Sequence, residues 1–247
     1  METNNQKNLN PMKITYFDDS SKMSAFASLM VLNELRKKQY LLIAAATGGS
    51  PEGLYQMLEK RYQFDPELFE KLRVLKLDEW GGIPMSDPGS CHSYLNEKVL
   101  KPLHVSSDRY LAFDSAAPDP AEECRRIQEE IDHTGPIDCC ILGLGKNGHI
   151  GFNEPASILQ SDCHVAKLSA ETIDHPLVQA MSQTPSFGMT VGMKGIMQSK
   201  KILLLITGSG KQEAIKKLME KEISTQLPAS FLWLHGDVEC LIDKTSC

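Results

Sequence analysis

The chain has 247 residues, 41% apolar and 23% charged, enough to bury a sizeable core without disulfide or metal staples and too globular for wholesale disorder. A net charge of −6 disfavours a generic electrostatic nucleic-acid binder, which is normally basic. The longest apolar runs, 41–46 and 202–206, are too short to span a membrane.

Residues 1–11 are polar and lack the apolar stretch of a secretory signal, so a flexible N-terminus and a cytoplasmic location are expected. A strand follows at 12–17, then a helix over 21–38 with Met23, Phe26, Leu29, Met30, Leu32 and Leu35 at helical spacing. The run 41–46 is continuously apolar and ends in glycines, as a strand buried on both faces of a parallel sheet does. Helices are predicted over 51–61, 92–103, 120–133 and 211–221, and strands over 74–77, 110–113, 137–144, 165–168, 189–191, 202–207 and 238–242. A short helix separates the strands at 189–191 and 202–207. This alternation implies βαβ units in one α/β domain, 12–247, with a mainly parallel sheet in a three-layer αβα, modified Rossmann-like arrangement. Seven cysteines are scattered without a Cys-x-x-Cys pair, and several sit in apolar runs such as 138–142, as reduced core thiols do.

Ligands of such sheets sit outside the carboxyl ends of the strands, which directs attention to four loops. Thr47-Gly48-Gly49-Ser50-Pro51 opens a helix, with Ser50 expected as its N-cap. It is either an ordinary capped turn or a site where free N–H groups and the helix dipole hold an anion. It lacks the Gly-Lys-Ser/Thr ending of a nucleotide P-loop. Gly208-Ser209-Gly210-Lys211 repeats the pattern and offers a point charge, or else a solvated lysine. Leu77-Asp78-Glu79-Trp80-Gly81-Gly82 places two carboxylates at a strand end, where one could serve as a general base or both could belong to a turn. Gly143, Gly145 and Gly148 form a Gly-x-Gly-x-x-Gly pattern, but Gly151 and Pro155 interrupt the helix a dinucleotide site needs. His149, with Asn147 and Glu154 nearby, is the more telling feature, because a held imidazole can shuttle protons.

Together these loops resemble the glucosamine-6-phosphate deaminase and 6-phosphogluconolactonase superfamily, from about residue 12 to near the C-terminus. Gly-His-Ile-Gly-Phe-Asn-Glu-Pro at 148–155 looks like the deaminase form of the His loop. Leu77–Gly82 with Gly145–His149 is most similar to the galactosamine-6-phosphate isomerase/deaminase branch. The resemblance implies conversion of a 2-amino-2-deoxyhexose 6-phosphate to a ketose 6-phosphate plus ammonia, without metal or redox cofactor. Its partner would be a small sugar phosphate, not nucleic acid or membrane, and a homo-oligomer is open. By motif, Thr47, Gly48, Gly49, Ser50 and Lys211 would hold the phosphate and Gly145 would line the substrate site. His149 would open the sugar ring, with Asn147 and Glu154 as its partners, and Asp78 would move a proton from C2 to C1.

Two departures stand out. Typical glucosamine-6-phosphate deaminases carry Asp where this chain has Asn147, which leaves Glu154 as the carboxylate for His149. The phosphate-binding Arg that many carry after the His loop is missing from 172–181, where His175 or Lys167 would have to substitute. Longer members continue into a tail linked to hexamer assembly and allostery, so neither property carries over. A sugar-lactone phosphate hydrolase, using His149 to activate water, and a non-catalytic sugar-phosphate sensor are the alternatives.

Overall fold

Short runs without polar alternation become strands covered on both faces, and the amphipathic segments between them become the covering helices. The computed structural model describes residues 12–174 and 176–246; the expected N-terminal extension, Cys247 and the candidate His175 lie outside them. In chain order the elements are β1 (Lys13–Phe17), α1 (Ser20–Lys37), β2 (Leu42–Ala45), α2 (Gly49–Tyr62), β3 (Arg73–Lys76), β4 (Asp78–Gly81), α3 (Cys91–Leu95), β5 (Tyr110–Leu111), α4 (Pro120–Thr134), β6 (Cys139–Gly143), β7 (His164–Ala166), α5 (Ala170–Ile173), α6 (Pro176–Gln179), β8 (Phe187–Thr190), α7 (Met193–Met197), β9 (Lys201–Ile206), α8 (Gln212–Met219) and β10 (Val238–Asp243).

Seven strands form a parallel sheet in the order β1-β10-β9-β6-β2-β3-β5. Strand β2 shows how side-chain alternation builds three layers. Leu42 and Ala44 face one core with Cys124, Ile127 and Ile131 of α4 and Ile215 and Leu218 of α8. Ile43 and Ala45 face the other, with Met23, Val31 and Leu35 of α1 and Leu54, Tyr55 and Leu58 of α2. Helix starts follow local chemistry: Asp19 accepts from Lys22 N–H at 2.8 Å, and Asp119 accepts from Ala121 and Glu122 N–H at 2.9 and 3.0 Å. The six described cysteines are free and buried. No described helix is long and apolar enough to cross a membrane.

The chain runs from β2 outward to β3 and β5, then returns to β6 on the other side of β2 and continues to β9 and β10. The order in which strands are added therefore reverses between β2 and β6, and the loops leaving these parallel strands part to open a crevice.

Several expectations need correction. The segments 165–168 and 189–191 do not join the large sheet. With β4 they form a separate antiparallel sheet, β4-β8-β7, in which Asp78 pairs with Thr190 and Trp80 with Gly188. Asp78 and Glu79 lie on β4 itself and not in a loop. The helix predicted at 92–103 is a short α-helix that continues as a π-helical turn, Asn96–Leu100. Ser50 is not the N-cap of α2. That place falls to Gly48, whose φ of 100° suits a residue without Cβ, so the Ser50 hydroxyl is free for other partners.

Candidate active site

A cavity of about 370 Å³ lies at the crevice between β2 and β6, within the range that takes a small metabolite. Thr47, Gly48, Gly49, Ser50, Asp78, Gly145, His149 and Lys211 all line it. Its parts come from the ends of β2, β3, β6 and β9, so residues more than 160 positions apart in sequence share one pocket.

One end gathers a helix N-terminus, hydroxyl groups and a lysine. The first turn of α2 points its unpaired N–H groups and positive dipole end into the pocket. The Ser50 hydroxyl lies 3.1 Å from the Thr207 hydroxyl, and Lys211 Nζ donates to Ser50 Oγ at 3.2 Å. Lys211 is the N-cap residue of α8 and has no carboxylate partner among the described residues. Burial first, and then the nearby Lys146 charge, bring its amine down to about 8.

The other end carries proton-transfer groups. Burial, reinforced by the Glu79 charge, raises the Asp78 carboxyl to about 7; His149, the Cys91 thiol and Lys76 oppose the rise without cancelling it. Cys91 Sγ donates to Asp78 Oδ1 at 3.7 Å and meets Thr47 Oγ1 at 3.6 Å. Glu79 does not face the cavity. It is fully buried, takes Lys76 Nζ at 2.5 Å, and accepts the backbone N–H groups of Trp80, Cys91 and His92, each at 2.9 Å. That bonding anchors β4 to the start of α3, directly behind Asp78.

His149 presents Nδ1 to Glu154 Oε2 at 3.4 Å and to the Thr172 hydroxyl at 3.3 Å. A carboxylate on that side favours the tautomer with its proton on Nδ1, leaving Nε2, which has no partner among the described residues, to accept. Burial works against the Glu154 charge, but the hydrogen bond and charge of His149, with hydrogen bonds from Thr172 and Asn147, outweigh it and hold the carboxyl down to about 2. Gly145 leaves the room: a Cβ there would stand 2.4 Å from His149 Cε1. Its place in the pocket is thus owed to the imidazole as much as to any ligand.

Asn147 does not touch the imidazole ring. Its side-chain oxygen accepts the His149 backbone N–H at 3.1 Å, and its NH₂ donates to Glu154 Oε2 at 2.9 Å and Ser169 Oγ at 3.2 Å. It fixes the loop and the carboxylate, and reaches the ring only through them. Lys167 is exposed and lies away from the cavity lining, so it does not stand in for the missing Arg.

Sequence reasoning missed Thr207, Lys146, Thr172, Ser169 and Cys91. Ser169 caps α5, accepting from Thr172 N–H, and this brings Thr172 onto Glu154. The Ser-x-x-Thr spacing was the available signal for a helix start. Trp80 and Phe152 pack with ring centres 4.5 Å apart and line one wall.

Fold and site together define a doubly wound α/β protein whose crevice gathers a helix N-terminus, a lysine, a buried carboxyl and an imidazole. The chain belongs to the family of glucosamine-6-phosphate isomerases and 6-phosphogluconolactonases, whose model matches residues 20–241. It is 38% identical over 221 residues to the proposed deaminase AgaI of Escherichia coli K12, covering 90% of this chain and 88% of that protein. It is 36% identical over 235 residues to glucosamine-6-phosphate deaminase 1 of Bacillus subtilis 168, covering 94% and 97%. Among solved structures, a monomeric glucosamine-6-phosphate deaminase of the NagB superfamily superposes with a TM-score of 0.88 at 36% identity, covering 94% of this chain and 98% of that one. A 6-phosphogluconolactonase of Trypanosoma brucei, at 19% identity and a TM-score of 0.74 over 94% and 96% of the two chains, shares the fold.

Proposed function

We propose that the protein is an amino-sugar-phosphate isomerase/deaminase that converts a 2-amino-2-deoxyhexose 6-phosphate to a ketose 6-phosphate and ammonia, with galactosamine 6-phosphate as the favoured substrate. The observation that carries this reading is one cavity holding a buried carboxyl at about pH 7, a carboxylate-held imidazole and an anion cradle. The similarity to deaminases along nearly the whole chain supports it. The epimer preference rests on the Leu77–Gly82 and Gly145–His149 stretches.

In this reading the phosphate sits on the α2 N-terminus with Lys211, which fixes the far end of the sugar and orients C1 and C2. His149 Nε2 takes the anomeric hydroxyl proton and delivers it to the ring oxygen, opening the ring, while Glu154 stabilises the imidazolium that forms in between. Asp78 removes the proton from C2 of the open chain as the C1 carbonyl oxygen takes one from water, giving an enolamine, and returns its proton at C1, which leaves an iminium at C2. Water then adds to C2 and ammonia leaves, giving the ketose. A carboxyl titrating near neutral pH suits a proton that is first taken and then given back. A lactone hydrolase would need His149 but not Asp78.

The test is ammonia release by the purified protein with galactosamine 6-phosphate and glucosamine 6-phosphate side by side. Faster release from the galactosamine epimer is expected. Faster release from glucosamine 6-phosphate reverses the preference, and no ammonia from either over a broad pH range overturns the reading.

A further inference from the structure

The charge at the anion end is incompletely matched by the groups described so far. A phosphate monoester carries about −1.5 to −2 at neutral pH. Lys211 offers one positive charge and a helix N-terminus about half of one. The segment after the His149 loop contributes Glu171, Thr172 and Asp174 to the cavity, two acids and a hydroxyl, and, among the described residues, no cation.

We infer that Lys146, from the His149 loop, is the second phosphate-binding cation of this site. Lys146 lines the cavity. Its stem lies across Gly210, with Cε, Cδ and Cγ at 3.4, 3.6 and 3.9 Å from where a Cβ on that residue would stand. Gly210 adopts a φ of 80° immediately before Lys211, so the loop after β9 turns there and leaves a bare surface for the Lys146 stem. The two lysines therefore converge from the ends of neighbouring strands β6 and β9. Among the described residues Lys146 has no ion pair and no hydrogen bond, so its charge is not neutralised internally. The charge is felt by Lys211, whose amine it helps to lower. Two like charges held close, one of them largely desolvated, are unfavourable in an empty pocket and favourable around a dianion. A bound dianion favours the protonated amine and raises the Lys211 pKa again, so affinity and protonation are coupled. The other charged groups that line the cavity are Asp78 and His149 at its far end and the exposed Glu171 and Asp174.

The inference rests on the phosphate reading of the cavity, and the experiment separates the two. Calorimetric binding of glucitol 6-phosphate, an open-chain probe that cannot react, is measured for wild type, Lys146→Gln, Lys146→Arg and Lys211→Gln. Lys146→Gln is expected to weaken binding about tenfold, the usual scale for a lost charge-assisted hydrogen bond, with Lys146→Arg within about threefold of wild type. In turnover the loss appears mainly in KM. The Lys211 amine, followed by the pH dependence of its labelling with trinitrobenzenesulfonate, titrates above about 8 once Lys146 is removed. If Lys211→Gln weakens binding and Lys146→Gln does not, the inference is wrong and the phosphate site stands. If neither weakens it, the phosphate reading fails with it.

Discussion

Replacing Asp78 by Asn should abolish turnover and stabilise the protein. A carboxyl raised from its ordinary 3.8 to about 7 by burial and by Glu79 takes up a proton on folding. Below about pH 4 it is neutral in both states and costs nothing as a charge. Between about pH 4 and 7 the unfolded chain ionises while the folded one resists, so stability falls; above about 7 the full cost remains. At about 1.4 kcal/mol per pH unit the ceiling is about 4 kcal/mol, which for a domain of this size is about 10 °C in Tm. Asn has no charge at any pH, so the stability of Asp78→Asn minus that of wild type should rise across that window and then level off. Urea or thermal denaturation of both proteins at a series of pH values measures it, with ammonia release recorded in parallel. A stability difference independent of pH would refute the desolvation argument. Retained ammonia release would refute the role of Asp78 as the base.

Glu79→Gln leaves Lys76 charged and unpaired in a fully buried position, and should cost about 3–5 kcal/mol in urea denaturation. Glu154→Gln removes the partner that stabilises the His149 imidazolium; kcat/KM should fall about a hundredfold. Because Glu154 is held down to about 2 from 4.5, the same variant should lose up to about 3 kcal/mol of stability at neutral pH, a deficit that vanishes as pH falls from about 4.5 to 2. Lys211→Met should raise KM about tenfold or more, with the smaller effect in kcat. Asn147→Asp places a carboxylate against Glu154 where an amide now donates, and should shift the acid limb of the pH–rate profile upward, since His149 must be neutral to take its proton; an unchanged profile would show that the effect does not reach the imidazole.

The parallel sheet was legible because β2, β6 and β9 are apolar on both faces and are bounded by glycine-rich turns. The four loops were legible because each follows such a strand. Less visible was the second sheet. Strands are expected from the sequence at 165–168 and 189–191, but β4, which carries Asp78 and Glu79, reads as a strand-end turn, and strands of three or four residues hold no pattern that says which sheet they join. The role given to Ser50 failed because an N-cap preference is local, whereas its hydroxyl is claimed by Thr207 and Lys211, about 160 positions away. Asn147 was read correctly as belonging to the His149 cluster but wrongly as an imidazole partner, since spacing along a turn does not reveal which atoms of a side chain face which neighbour. Lys146 was overlooked because its partner surface, Gly210, belongs to a different strand end.

Asp78 stands where the chain leaves the large sheet and enters the small one. Val191 N–H donates to Leu77 O at 2.9 Å at that joint, and Thr190 of the small sheet accepts the Phe152 N–H from the His149 loop at 3.1 Å. The small sheet thus holds both the base and the loop that carries the imidazole. The gap between the two reacting groups is set by how one sheet seats against the other, as the width of a vise is set by its frame. Substitutions under the small sheet, at positions such as Gly188 against Phe152, should tune the chemistry without touching a single group that performs it.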